Sequence, residues 1–452
     1  MSKPAENSEK LGTEKIGKLI WNYSLPAITG TVVMALYNIV DRIYLGHGVS
    51  PMAISGLALT FPFMTILTAF GMLVGSGASA RISIALGEGN KEKAEQILGN
   101  ALILTFIISG FAIVVSYVFM SDLLRLFGAT DNIIQYAEDY MRIIIPFGFL
   151  SALNFGFNNI MRASGYPRKA MWTMIICAVA NVIITPIFIF SFGMGIQGAA
   201  WSTNIALFIG MCWVLSHFRG KDTNIRFKRK NLKLQANIVK TILGIGLSPF
   251  SMQMATSLIV VIINFQLIRY GGDMAVGAFG IANSILVLVV MILIGLNQGT
   301  QPIWGYNYGA KKFDRMFKTL RTAVVIATLV STAGFILGTF FPQTLVRMFT
   351  VDAEMIEIAS NALRITVMFF PIIGFQIVVS SFFQSIGKAK ISIFLSMTRQ
   401  FLFLIPCLLI LPPIFGLNGV WVSLPASDGI AVVVSGLTLL FFIRKFKREN
   451  SF

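Results

Sequence analysis

Long apolar stretches recur along the whole chain, separated by short polar connections. Twelve can be read, near 18–45, 52–76, 94–118, 133–161, 169–191, 197–216, 240–268, 275–300, 318–342, 355–383, 390–412 and 418–443. Each is long enough to cross a hydrocarbon core of about 30 Å as a helix. A helix satisfies its own backbone polar groups where water is absent. The pattern therefore predicts an all-α polytopic membrane protein with twelve transmembrane helices. Residues 1–17 are polar, and Ile16, Leu19, Ile20 and Tyr23 begin an amphipathic approach to the membrane. Pro26 falls early in the first span, where it removes a backbone donor and can bend the helix. A polar loop is expected over Ala80–Ala94, after the second span.

The chain repeats itself at an offset of 222 residues. Gly77 falls on Gly299, Gly87 on Gly309, Arg125 on Arg347, Phe127 on Phe349, Arg142 on Arg364 and Gly165 on Gly387. With single-residue gaps Pro26 falls on Pro249 and Gly198 on Gly419. Six helices per repeat is an even number, so both halves enter the membrane from one side. The repeats are then parallel, two six-helix lobes related by a pseudo-two-fold axis along the membrane normal. The expected organisation is an N-terminal segment 1–17, an N-lobe 18–217 (helices one to six), a basic linker 218–235, a C-lobe 236–443 (helices seven to twelve) and a tail 444–452. Such a pair of lobes encloses a cavity and transports by rocking one lobe against the other.

Composition agrees with this picture. The 452 residues are 56% hydrophobic and only 12% charged, with mean hydropathy +0.77; a soluble domain averages about 25% charged. No cleavable signal peptide is expected, because the first apolar segment is too long and no small-residue cleavage site follows it. The net charge of +17 suggests nucleic acid until its placement is considered. The N-terminus, the tail and the connections near 86–99, 162–169, 217–240, 309–321 and 387–390 carry most of the 36 Lys and Arg. The intervening connections hold Arg125, Arg269 and Arg347. That alternation is a topology signal and places both termini in the cytoplasm.

Chemistry is sparse. Cys177, Cys212 and Cys407 stand singly in apolar segments and read as packing residues. His47 and His217 lie in or beside loops without a ligand partner nearby, so no metal site is expected. No nucleophile or acid–base cluster sits at membrane depth, which argues against an enzyme. No Gly-rich loop ending in Lys-Ser or Lys-Thr appears, which argues against an ATP-driven pump.

What remains is polar residues at membrane depth. Asp41 lies about five residues inside the first span, counted from a turn over Gly46–Pro51, with Tyr37 and Asn38 four and three residues before it on the same face. A carboxylate at that depth is a functional candidate by default. Span four carries Asn154, Asn158 and Asn159, span five Asn181 and Thr185, and span six Ser202, Thr203 and Asn204. Each alone suits interhelical hydrogen bonding; together with Asp41 they make the N-lobe interior polar. The C-lobe counterpart of Asp41 is Asn264. There Arg399 and Asp428 sit mid-span on consecutive antiparallel helices, and a buried ion pair is the natural reading. The 21 Met and 39 Phe suit packing, lipid contact or a broad adaptable apolar cavity.

These residues resemble a known family. Ser24-Leu25-Pro26 followed by Tyr37-Asn38-Ile39-Val40-Asp41 is similar to the first helix of multidrug and toxic compound extrusion (MATE) transporters. So are Leu86-Gly87-Glu88-Gly89-Asn90, Arg162-Ala163-Ser164-Gly165, Asn181 with Pro186, Gly198-Ala199-Ala200-Trp201-Ser202-Thr203, Arg399-Gln400 before Pro406, and Gly419-Val420-Trp421 before Asp428. The resemblance runs from Lys18 to about Phe442. It implies two lobes in a V around a central cavity, and export of amphipathic, often cationic compounds driven by inward flow of protons or sodium ions. It implies that Asp41 is the coupling carboxylate, with Tyr37, Asn38, Asn154, Asn181 and Thr203 as surrounding polar positions. One departure stands out. The family pattern places Asp before the proline of helix five, and this chain has Thr185. A cation held there would meet one carboxylate instead of two, whereas protonation of Asp41 needs no second carboxylate. The departure favours protons over sodium.

The resulting expectation is a monomeric antiporter of the inner or plasma membrane, with a small-molecule substrate, membrane lipid around it, no nucleic acid partner and no cofactor beyond H+ or Na+ as coupling ion. The rival is a flippase for lipid-linked or polysaccharide precursors on the same fold. A cluster of cations in the cavity, with Arg81, Arg142 and Arg364 as candidates, would favour it.

Overall fold

The computed structural model describes residues 3–48, 51–126, 133–220 and 223–449; within these, several side chains of 3–7, 38–48 and 51–62, and that of residue 273, lie outside the described residues. All regular structure among them is helical. The first half contains α1 (Lys3–Thr13), α2 (Ile16–Gly48), α3 (Pro51–Gly87), α4 (Lys91–Val118), α5 (Met120–Leu126), α6 (Ile134–Ile144), α7 (Gly148–Ala163), α8 (Pro167–Pro186) and α9 (Gly195–Arg219). The second contains α10 (Ala236–Gly309), α11 (Phe313–Phe340), α12 (Pro342–Val346), α13 (Ala353–Thr366), α14 (Phe370–Ser385), α15 (Ala389–Met397), α16 (Ile405–Phe415) and α17 (Leu417–Glu449). Eleven spans are long and apolar enough to cross a membrane, and the pair α13 and α14, bent by 55°, makes a twelfth.

Several boundaries differ from expectation. Helix α2 continues to Gly48, so Asp41 lies seven residues from its end, about 10 Å of helical rise. Helix α3 continues through the expected polar loop to Gly87, because Ala80–Leu86 is mostly buried and has an apolar face to pack. Spans seven and eight join at Gly272 with no intervening loop; its φ of 64° lies in the left-handed region where glycine is at no disadvantage. Arg162, expected in a basic loop, is buried in the last turn of α7. His217 lies beside the loop, in the last turn of α9, and is buried with its ring 4.7 Å from Tyr166 and 4.9 Å from Phe218.

The pseudo-symmetry is visible in contacts. Gln301 Nε2 donates to Ser79 Oγ at 3.3 Å, and the two residues are 222 positions apart, so this bond lies across the pseudo-two-fold axis. A Cβ on Gly87 would meet the Tyr306 carbonyl oxygen, and one on Gly309 would meet that of Ile84, which is the same contact made twice. Only glycine lets these backbones approach so closely. The helix breaks at Ile145–Phe147 and at 367–369 are likewise equivalent.

The lobes also exchange elements at the end of the bundle that carries the basic connections, called the basic end below. Leu11, Ile16, Leu19, Ile20 and Tyr23 belong to a core cluster with Trp304, Met316, Phe382 and Phe383 of the second half. Reciprocally, Ile242 of the second half is buried with Ile97, Phe157 and Phe218 of the first. The expected polar lead-in is thus the docked helix α1: Asn307 Nδ2 donates to the Leu11 carbonyl (3.0 Å), Lys312 Nζ to Gly12 (2.9 Å) and Arg315 Nη2 to Glu14 (2.6 Å). These donors satisfy carbonyls that a helix end leaves open. Helix α2 is therefore rooted in the second lobe at the basic end and in the first lobe at the other. The linker lies on α4, with Lys228 Nζ 2.5 Å from the buried Glu95 and Lys230 Nζ 2.8 Å from Glu92.

Candidate functional site

Helical periodicity collects the N-lobe polar residues around one space. On α2, Met34, Tyr37 and Asp41 recur at steps of three and four, so they share a face. On α7, Ser151, Asn154, Asn158 and Arg162 form a second stripe by the same rule. With Tyr140 of α6, Thr173 and Cys177 of α8, Thr203 of α9 and an apolar wall from α3 they line a cavity of about 350 Å³.

Asp41 is buried, with 8% of its surface exposed. Its Oδ1 lies 3.3 Å from Thr185 Oγ1, which also lies 3.1 Å from Asn181 Oδ1 and 2.7 Å from Ser202 Oγ. Asn181 Nδ2 donates to Thr203 Oγ1 at 3.2 Å, and Thr203 Oγ1 donates to the Ala199 carbonyl at 2.9 Å. A hydroxyl has one proton and two lone pairs. Thr185 can donate to ionised Asp41, or accept from neutral Asp41 while turning its own proton to Ser202 or Asn181. The network accommodates either protonation state.

Of the residues singled out in the sequence, Tyr37, Asp41, Asn154, Asn158 and Thr203 line the cavity. Asn181 and Thr185 stand behind its wall, reaching it through Thr203 and Asp41. The side chain of Asn38 lies outside the described residues. The asparagines also join helices: Asn154 Nδ2 donates to the carbonyls of Leu207 (2.7 Å) and Leu150 (2.9 Å), and Asn158 Nδ2 to Ala170 (2.6 Å). Tyr140 and Arg162 were not expected at the site. Arg162 could have been found by extending the Asn154, Asn158 stripe one more turn. Nothing in the sequence marks Tyr140.

In the C-lobe Arg399 Nε lies 2.7 Å from Asp428 Oδ1, with Asp428 buried. Arg399 sits on a π-helical segment, Thr398–Leu404, and faces a second space of about 180 Å³ between the lobes. That space is lined by amides, among them Gln298, Gln301, Gln376, Gln384 and Gln400. Of the other arginines, Arg142 is exposed and bonded to Glu138 at 3.0 Å. Among the described residues no group of three or more His, Cys, Asp and Glu is placed to hold a metal ion.

The comparisons agree with this architecture. The MatE family signature matches residues 26–187 and 249–409, one block per lobe. The chain is 24% identical to the multidrug export protein MepA of Staphylococcus haemolyticus, covering 93% of this chain and 92% of that one. It is 26% identical to MepA of Staphylococcus aureus, over 94% of each. Among solved structures it is similar to an outward-facing multidrug resistance MATE family transporter (TM-score 0.91, 26% identity, 97% of this chain and 98% of that one). It is also similar to a MATE protein in complex with MaL6 (TM-score 0.92, 25% identity, 99% and 100%). The chain belongs to the MatE family and is a multi-pass membrane transporter, not an enzyme.

Proposed function

We propose that this protein exports amphipathic cationic compounds in exchange for protons, with Asp41 as the coupling carboxylate and the basic end in the cytoplasm. The observation that carries this reading is Asp41 itself. It is a buried carboxylate on a cavity wall, bonded to a hydroxyl, and it is the one carboxylate among the described residues lining that cavity. Ionised, it attracts a cationic substrate; neutral, it can stay buried without a counter-charge. The names of the staphylococcal relatives support drug export. Thr185 in place of a second carboxylate favours a proton over sodium, since it serves both protonation states of Asp41.

The lobes, taken as 18–217 and 236–443, then move as units in a monomer surrounded by lipid. Helix α2 is the link: it carries Asp41 in the N-lobe and roots Ile16, Leu19 and Ile20 in the C-lobe. A change of charge at Asp41 alters the hold of the N-lobe on the outer part of this helix, and so the angle between lobes. The flippase reading would need several cations in the cavity. Arg81, Arg142 and Arg364 line neither the N-lobe cavity nor the cleft between lobes; each space has one arginine, Arg162 in the cavity and Arg399, paired with Asp428, in the cleft, so the antiporter is the better supported of the two.

The test uses purified protein in proteoliposomes, following a fluorescent lipophilic cation under a proton or a sodium gradient imposed separately. Proton-driven transport that falls about tenfold or more in Asp41→Asn is expected, in the range of site coupling energies of about 1–3 kcal/mol. Full-rate transport by a normally folded Asp41→Asn protein would remove Asp41 from the mechanism. Transport under sodium alone would replace the proton as coupling ion. No cation movement under either gradient would turn attention to lipid-linked cargo.

A further inference from the structure

The cavity holds a second charge that the export of simple cations does not use. Arg162 is only 2% exposed and lies at the basic end of the cavity lining. Its Nη2 donates to Asn159 Oδ1 at 2.5 Å, while Nε and Nη1 are buried without a hydrogen-bond partner. Among the described residues no carboxylate pairs with it. One turn earlier on the same face, Asn158 spends its amide on the Ala170 carbonyl, and its Oδ1 is also buried without a partner. A guanidinium is ionised under all ordinary conditions. Burying it without an anion costs several kcal/mol, so a structural role alone does not account for it. Two other arginines of the spans are paired: Arg142 has Glu138 and Arg399 has Asp428.

The two charges stand at opposite ends of one cavity. Asp41 is level with Thr185 near the end of α8, whereas Asn158 is level with Ala170 near its start. Those fifteen residues correspond to about 20 Å of helical rise, to which the turn from Asn158 to Arg162 adds about 6 Å before the reach of the arginine side chain is subtracted. The space between them is walled by Phe61, Met64, Phe155 and Met174.

We infer that Arg162 is an anion-accepting anchor at the basic end of the substrate cavity. The cavity therefore takes elongated amphipaths with a cationic nitrogen at one end and a carboxylate at the other, as well as simple cations. This rests on the reading of the cavity as the substrate site. The zwitterion would lie along the cavity with its ammonium toward Asp41 and its carboxylate accepting hydrogen bonds from Arg162. Charge-assisted bonds of this kind are the strong ones, and at a buried cation they discriminate steeply against a ligand lacking the anion.

The test compares two rigid fluorescent rods: 4-(4-carboxystyryl)-1-methylpyridinium, a zwitterion, and its methyl ester, a cation that differs by one methyl group. Binding to the purified full-length protein is read by fluorescence polarisation. The wild type is expected to bind the zwitterion more tightly than the ester, and Arg162→Gln to weaken the zwitterion by about tenfold or more while leaving the ester nearly unchanged. Arg162→Lys keeps the charge and is expected to retain part of the preference. Equal losses for both dyes, or no loss for either, would overturn the anchor and leave a packing role solvated by water. If Arg162→Gln does not fold, the wild type decides alone: benzoate should compete with the zwitterion and not with the ester, and an ester bound as tightly as the acid overturns the proposal. Failure of the wild type to bind either dye would remove the substrate-cavity reading and this inference with it, whereas ester binding without zwitterion preference removes only the inference.

Discussion

Asp41 and Thr185 show how one substitution within a familiar pattern changes the chemistry open to a site. Thr185 Oγ1, 3.3 Å from Asp41 Oδ1, can donate or accept, so it follows the protonation of its neighbour without leaving a buried polar atom stranded. A carboxylate there would instead repel ionised Asp41 unless a cation lay between them. Thr185→Asp is therefore expected to raise sodium-stimulated export above that of the parent in proteoliposomes held without a proton gradient. If sodium has no effect on that variant, the second carboxylate is not what a cation site here requires. Asp41 and its polar stripe were legible in the sequence because a carboxylate at membrane depth is costly and rare. Arg162 was not, since three residues before Gly165 it reads equally well as a loop cation. Its burial depends on how α7 docks against α3, α8 and α9.

At the scale of elements, the segment Thr398–Leu404 widens to a π-helix at Arg399. Such widenings are frequent at functional sites. Removing Arg399 would strand Asp428, which is buried, while the arginine itself keeps contact with the cleft between lobes. Arg399→Met is expected to lower stability by about 3 kcal/mol, the lower part of the range for broken buried pairs. The double variant Arg399→Met with Asp428→Leu should recover most of it, as a double-mutant cycle in thermal melts of detergent-solubilised protein would report. A double variant no more stable than the single would mean that the pair is not the source of the loss. Antiparallel consecutive helices made this pairing readable from sequence. The cleft's lining of glutamines was not, because those residues come from α10, α14 and the π segment and converge only in the folded lobe.

For the whole molecule, the closed basic end is held by backbone approaches at symmetry-related glycines and by the docking of α1 onto α10. Gly309→Leu would drive a side chain into the Ile84 carbonyl, and Gly87→Leu into that of Tyr306. Either is expected to shift the population toward conformations open at the basic end. Alkylation of a cysteine introduced at Ser79, on the pseudo-two-fold axis, would then speed up from that side of the membrane. Unchanged alkylation in both variants would mean that these glycines do not control closure. The exchange of Ile20 and Ile242 between lobes adds a constraint: in the proposed rocking, spans one and seven would have to bend or slide.

Several properties follow from local composition and could be read from the sequence: a membrane bundle, twelve apolar spans (the second and eighth of which run on past the ends read for them, to Gly87 and Gly309), two parallel lobes, the basic end and the polar character of the N-lobe. Hydrophobic length, charge alternation and a repeat of 222 residues need no knowledge of neighbours in space. Resemblance of ordered motifs then identified the family. Tertiary structure alone decided which polar residues face a common cavity and which bond behind its wall, because a helical stripe specifies a face and not what that face meets. It also decided that α1 and the start of α2 belong to the opposite lobe's core. Apolar residues such as Leu11 and Ile20 carry no address; they go wherever a complementary surface removes them from water. The unpartnered charge of Arg162 is likewise a property of packing, since an arginine becomes costly only when every direction around it has been filled.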